Sequence, residues 1–98
     1  MNESRTRPEA TLAGTPPVAP DGLCPVATLD TLGLYCPVPI IRTSRKIREI
    51  ETGDVLEVLS DDPLITLDMR AWCDSNRHEY LGVRRDERRF LVYVRRLH

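Results

Sequence analysis

Three cysteines, Cys24, Cys36 and Cys73, are the residues of this 98-residue chain with the most reactive side chains. The tripeptide Cys-Pro-Val occurs twice, at Cys24 and at Cys36, but only the second copy runs on through Pro39 into helical spacing. Pro37 and Pro39 suit the first turn of a helix, where backbone N–H groups have no intrahelical partner and a proline forfeits no hydrogen bond. The pair predicts Cys36 at the helix N-cap, with the amides of Val38 and Ile40 as the nearest donors. Its sulfur would then sit at the positive end of the helix dipole. A thiolate there gains about 0.3–1 kcal/mol from the dipole, and about 1.4 kcal/mol is one pKa unit. With added hydrogen bonds, the expected thiol titrates one or two units below the reference of about 8.5.

Cys24 shares the next two residues but not the consequence. "CPVATLD" leads into a strand pattern, so no helix dipole stands behind the sulfur. The expectation is an exposed tail thiol, with the sharper alternative that it resolves an oxidised Cys36. Cys73 follows Trp72 late in a second helix, where a cysteine is expected to be buried and inert and the dipole raises its pKa. No Cys-x-x-Cys spacing occurs, and His78 and His98 complete no metal-ligand pattern, so neither a metal nor a cofactor is expected. His78 and Tyr80 read as the start of a strand and not as a catalytic base.

The elements that must hold Cys36 follow from periodicity. "ATLDTLGL" reads as a short strand stopped near Gly33. The helix after Cys36 carries an apolar stripe of Ile40, Ile47 and Ile50, supported by Ile41 and Ser44, and Gly53 suits its C-terminal cap. "DVLEVLS" is rich in β-branched and aliphatic residues and nearly apolar on both faces, as expected of an inner strand. Asp61 or Asp62 is expected to cap the second helix, with Pro63 in its first turn and Leu64, Leu67 and Ala71 among its apolar positions beside Ile65, Met69 and Trp72. "EYLGVRR" and "RRFLVYVRR" read as two strands joined at Asp86-Glu87, with Phe90, Val92 and Val94 on one face and Leu91 and Tyr93 on the other. The fold class is therefore α+β, a two-layer sandwich in the order β-α-β-α-β-β, with a four-stranded mixed sheet and both helices on one face.

Five of the eight prolines fall in residues 1–25, which read as a disordered proline-rich tail ahead of one domain over 26–98. A net charge of −1 and 5% aromatics speak against a dedicated nucleic-acid binder. No apolar run suggests a membrane span and the first residues do not form a secretory leader, so a cytoplasmic monomer with reduced thiols is expected.

With these residues in view, the stretch from Leu29 to Arg95 resembles the TusA/SirA-like sulfur-carrier family. The shared marks are Leu-Asp-x-x-Gly-x-x-Cys-Pro-x-Pro, Gly-Asp before the second strand, Asp-Asp-Pro opening the second helix, Cys73 near its end, and "HEYL". The resemblance implies that Cys36 accepts a sulfane sulfur as a persulfide, a sulfurtransferase-type carrier acting in a relay. Pro37, Val38, Pro39 and Ile40 map onto the motif, and Asp61, Asp62 and Pro63 onto the second helix start. Implied donors are a cysteine desulfurase or a rhodanese-like protein. Implied acceptors are proteins of tRNA thiolation, sulfur oxidation or cofactor sulfuration. The basic hairpin (Arg84, Arg85, Arg88, Arg89) and the tail with Cys24 lie outside the family pattern. A carrier needs no internal base, because handing on sulfur is thiol exchange. The competing readings are a non-catalytic interaction module and a thiol redox sensor.

Overall fold

The computed structural model describes residues 23–98. Their order is β1 (Ala27–Asp30), α1 (Val38–Lys46) with a 3-10 turn over Ile47–Glu49, β2 (Val55–Ser60), α2 (Ile65–Asn76), β3 (Glu79–Asp86) and β4 (Arg89–Arg95). One four-stranded sheet runs β1-β2-β4-β3. β1 pairs parallel with β2, while β4 is antiparallel to both β2 and β3. β3 therefore runs parallel to β2, and the two crossovers place α1 and α2 alongside each other in one direction. The expected mixed sheet with two helices on one face is the observed architecture.

The alternation of β2 and β4 sorts the core. Leu56 and Val58 with Val92 and Val94 face the helices and pack with Ile47, Ile50, Ile65, Met69 and Cys73. Val55, Leu91 and Tyr93 form a second cluster on the other face, joined by half-buried Leu23, Leu59 and Leu81. Tyr93 there donates its phenolic hydrogen to Glu57 at 2.7 Å. Burial on both faces explains why β2 is apolar apart from Glu57, which Tyr93 satisfies, and Ser60 at its end.

The stripe expected after Cys36 is present, with Ile47 and Ile50 buried and Ile40 half-buried against them. Ile47 lies in the 3-10 turn, however, and Ile50 beyond it; within α1 the buried residues are Pro39 and Thr43, and Ile41 is exposed. Thr43 can be buried because its hydroxyl donates to the Pro39 carbonyl at 2.8 Å. The phase of α2 differs from the expectation. On α2 the buried stripe is Ile65, Met69 and Cys73, spaced four apart, whereas Leu64, Leu67 and Ala71 face solvent. The hairpin turn falls at Glu87-Arg88, one residue later than expected, with Glu87 at a φ of 56°. Gly53 has a positive φ (92°) but caps no helix: α1 ends at Lys46 and the 3-10 turn at Glu49, so the glycine serves the turn that leads into β2.

Residues 1–22 of the expected disordered tail lie outside the described residues. Leu23 packs on the second cluster, and the Val26 amide donates to the Val55 carbonyl at 2.9 Å, so the chain is already laid on the sheet before β1 begins. Among the described residues no helix is long and apolar enough to cross a membrane.

Candidate functional site

Cys36 lies in the loop between β1 and α1, and its side chain is exposed. Anchoring of this loop begins at Thr31, whose amide and hydroxyl both donate to the Leu59 carbonyl of β2. The Leu32 amide donates to Asp30 Oδ1 at 2.9 Å, and the chain then reverses at Gly33, whose φ of 79° favours a residue without a Cβ. The Val38 amide donates to the Tyr35 carbonyl at 2.9 Å, and Ile41 N–H donates to the Pro37 carbonyl at 3.0 Å. α1 begins at Val38, Pro37 occupies the N-cap and Pro39 the second helical position. The Cys36–Pro37 peptide bond is cis.

The N-cap expectation for Cys36 is thus corrected by one residue. Cys36 precedes the cap, and the Val38 amide it was expected to use is already bonded to Tyr35.

What holds the loop is the start of α2. The Asp61 carboxylate accepts the Gly33 amide at 3.1 and 3.3 Å. Buried Asp62 accepts the Cys36 amide on Oδ2 at 3.3 Å and the Leu64 amide on Oδ1 at 3.0 Å, while its own N–H donates to Ser60 Oγ. The Ile65 amide closes the same turn on the Asp62 carbonyl at 3.0 Å. The expected cap is thereby corrected: Leu64 is the N-cap of α2 and no side chain caps it. Pro63 lies in the turn ahead of the helix, Asp62 holds that turn, and Asp61 reaches across to the Cys36 loop. The Asp-Asp-Pro stretch is a brace between the two helix starts.

The charge around the sulfur overturns the acidic-thiol expectation. The Cys36 thiol is held above the ordinary cysteine range, first by its hydrogen bond to Asp68, then by burial, then by the charges of Asp68 and Asp62. Each carboxylate favours the protonated thiol, because a thiolate beside it is a like charge and the S–H is a donor it can use. The dipole of a nine-residue helix does not outweigh them. Asp68 was not singled out from sequence. The available signal was the spacing Ile65–Met69–Cys73, which puts Asp68 on the flank of the buried stripe once the phase is right.

The other thiols are elsewhere. Cys73 is 2% exposed in the core, and burial pushes it up to about 12, as expected of an inert thiol. Cys24 is exposed, before β1. His78 stands just ahead of β3, in a stack of rings with Trp72 and His98 at centroid distances of 5.3 and 4.6 Å. Among the described residues no group of three or more His, Cys, Asp or Glu side chains is placed to hold a metal.

Comparison with known proteins follows the same boundaries. Residues 27–96 match the family model described as sulfurtransferase TusA. A Bacillus subtilis (strain 168) protein named "Putative sulfur carrier protein YrkF" is 44% identical over 54 residues, covering 55% of this chain and 29% of its own length. An Aquifex aeolicus (strain VF5) protein named "Putative sulfur carrier protein" is 35% identical over 69 residues, covering 70% of this chain and 35% of its own. The matched region thus spans about a third of the length of these curated relatives. The crystal structure of a SirA-like protein from Desulfitobacterium hafniense superposes with a TM-score of 0.61 at 28% identity, covering 74% of this chain and all of that one.

Proposed function

This chain belongs to the sulfurtransferase TusA family, and from that premise we propose that it carries sulfane sulfur as a persulfide on Cys36. The observation that supports the reading is the contrast among the thiols. Cys36 is exposed on a braced loop beside two helix starts, whereas Cys73 is sealed in the core. In loading, the Cys36 thiolate attacks the outer sulfur of a donor persulfide. The new Cys36 S–S bond forms as the donor's S–S bond breaks, and the donor departs as a thiolate. Handing on reverses the roles, with Cys36 as the leaving thiolate.

A protein donor, a cysteine desulfurase or a rhodanese-like protein, and a protein acceptor in tRNA thiolation, sulfur oxidation or cofactor sulfuration are part of the same proposal. Pro37, Val38, Pro39 and Ile40 shape the helix start behind the thiol, and Asp61, Asp62 and Pro63 brace it. No side chain is assigned as a catalytic base, since Asp68 favours the neutral thiol.

The test is intact mass after incubation with a cysteine desulfurase and cysteine. A gain of about 32 Da that maps to Cys36, is lost in Cys36→Ser and persists in Cys24→Ser and Cys73→Ser is expected, since persulfidation is a reversible thiol cap. A loss of about 2 Da on mild oxidation, with no gain of sulfur, would move the protein to the redox-sensor class.

A further inference from the structure

Where α1 and α2 end, at the opposite end of the helix layer from Cys36, four parts of the chain converge on a cleft of about 370 Å³. Arg48 reaches it from the 3-10 turn, Trp72 and Asn76 from α2, His78 from just ahead of β3, and Arg96 and His98 from beyond β4. No Asp or Glu is among its lining residues. The described ion pairs, Lys46–Glu49, Asp86–Arg89 and Glu79–Arg95, include neither of its arginines.

Part of this polar lining is used inside the fold. Arg96 donates to the Ile50 carbonyl and to the main-chain oxygen of His98, and His98 Nε2 donates to the Asn76 carbonyl at 2.9 Å. Two donors remain. Arg48 enters the described hydrogen bonds only through its carbonyl, so its guanidinium is uncommitted among the described residues. His78 Nδ1 accepts the Leu97 amide at 3.2 Å, which puts the hydrogen of the neutral ring on Nε2. That ring is stacked between Trp72 and His98, at centroid distances of 5.3 and 4.6 Å. Burial, then the positive charges of His98 and Arg96, hold His78 below its usual pKa, and the latter two causes are what a cationic cleft without a counter-charge produces.

We propose that this cleft binds a small dianionic oxyanion of the sulfate or phosphate class, held by Arg48, Arg96 and the Nε2–H of His78. The site is separate from Cys36 and does not depend on the sulfur-carrier reading. Its donors arrive from the 3-10 turn, from the start of β3 and from the segment after β4. A tetrahedral oxyanion offers acceptors in several directions and can meet all three, whereas a carboxylate offers them in one plane. Guanidinium groups match such oxyanions with paired N–H donors. The stacked rings form a flat wall that limits water around the ion and strengthens each charged contact. Bound there, the anion supplies the counter-charge that the lining lacks.

Trp72 is the only tryptophan of the chain and lines the cleft, so its fluorescence reports occupancy. Sodium sulfate and sodium phosphate are titrated at neutral pH against sodium chloride and sodium acetate at matched ionic strength, with the His78 and His98 ring signals followed by NMR. Sulfate and phosphate should give one saturable curve in both readouts, with a dissociation constant on the order of 1 mM for so small a ligand. Chloride and acetate should not saturate. Arg48→Gln should weaken sulfate by about ten-fold or more, as loss of a charged hydrogen bond does, and Arg48→Lys should recover part of the loss. Arg42→Gln removes an exposed charge outside the cleft and should change nothing. No saturation in either readout, an equal response to chloride, or equal weakening by Arg42→Gln overturns the proposal. Each of these outcomes leaves sulfur loading on Cys36 untouched.

Discussion

The two ends of the helix layer are built from opposite charges. Where α1 and α2 begin, Asp61, Asp62 and Asp68 surround the Cys36 loop. Where they end, a cavity of about 370 Å³ is lined by Arg48, Arg96, His78 and His98, with Trp72 and Asn76. Both arrangements suit the helix dipole, which is positive at the first turn and negative at the last. The comparison explains why Cys36 is not an acidic thiol at rest. Aspartates at the start of α2 face the loop that precedes α1, whose own first turn holds no acidic residue, and their charge works against the dipole's favour for a thiolate. At the far end the backbone carbonyls are matched directly. Arg96 donates to the Ile50 and Arg48 carbonyls, and His98 Nε2 lies 2.9 Å from the Asn76 carbonyl. At one end carboxylates accept the amides of the Cys36 loop, whereas at the other a guanidinium donates to carbonyls at the helix ends.

The sharpest way to break this contrast is to remove the brace at the Cys36 end. Asp62→Ala leaves the Cys36 and Leu64 amides without their acceptor on a residue only 6% exposed. Lost hydrogen bonds of a charged acceptor should cost about 1.5–3 kcal/mol in urea unfolding, and sulfur loading should slow in step. If stability and loading both stay at the parent values, Asp62 braces nothing that matters.

A second measurement leaves the brace intact and changes the charge. The pH dependence of Cys36 alkylation should place its thiol above the ordinary cysteine range, and Asp68→Asn should move it down, since that substitution removes the largest cause of the elevation. An unmodified protein in which Cys36 titrates below the ordinary range contradicts the aspartate account and restores the dipole one.

The smallest effect belongs to the far end. His78 titrates below its usual value through burial and then the positive charges of His98 and Arg96, and its Nδ1 accepts the Leu97 amide at 3.2 Å. Its folded pKa is the lower one, so between it and the unfolded value of about 6.5 the unfolded chain binds more protons. The stability it contributes is present above about pH 6.5 and is lost as pH falls through the folded value. The melting temperature should drop slightly over that window, and His78→Phe should reduce the drop. A melting temperature that rises on acidification across the same window, and does so less in His78→Phe, reverses the sign and the argument with it.

How much of this was legible beforehand depends on the range of the interaction. Cys36, the helix behind Pro37 and Pro39, the buried inner strand β2 and the inert Cys73 all follow from neighbours within a few residues, and the sequence conveys them. The phase of α2 does not. Leu64 and Leu67 are as apolar as Ile65 and Met69, and only packing against Leu56, Val58, Val92 and Val94 selects the stripe that is buried.

By itself the sequence determined the order of the elements, the side on which each strand buries its residues, and the thiol placed before a proline-marked helix. These are set by local sterics, side-chain periodicity and the need to bury apolar surface. The tertiary structure alone decided what that thiol experiences. Asp62 and Asp68 stand 26 and 32 positions from Cys36 in the chain, and they reach it because two parallel crossovers bring both helix starts to one edge of the sheet. Electrostatic energy depends on distance in space and on local exposure to water, so no pattern near Cys36 could reveal that its neighbours would be acidic.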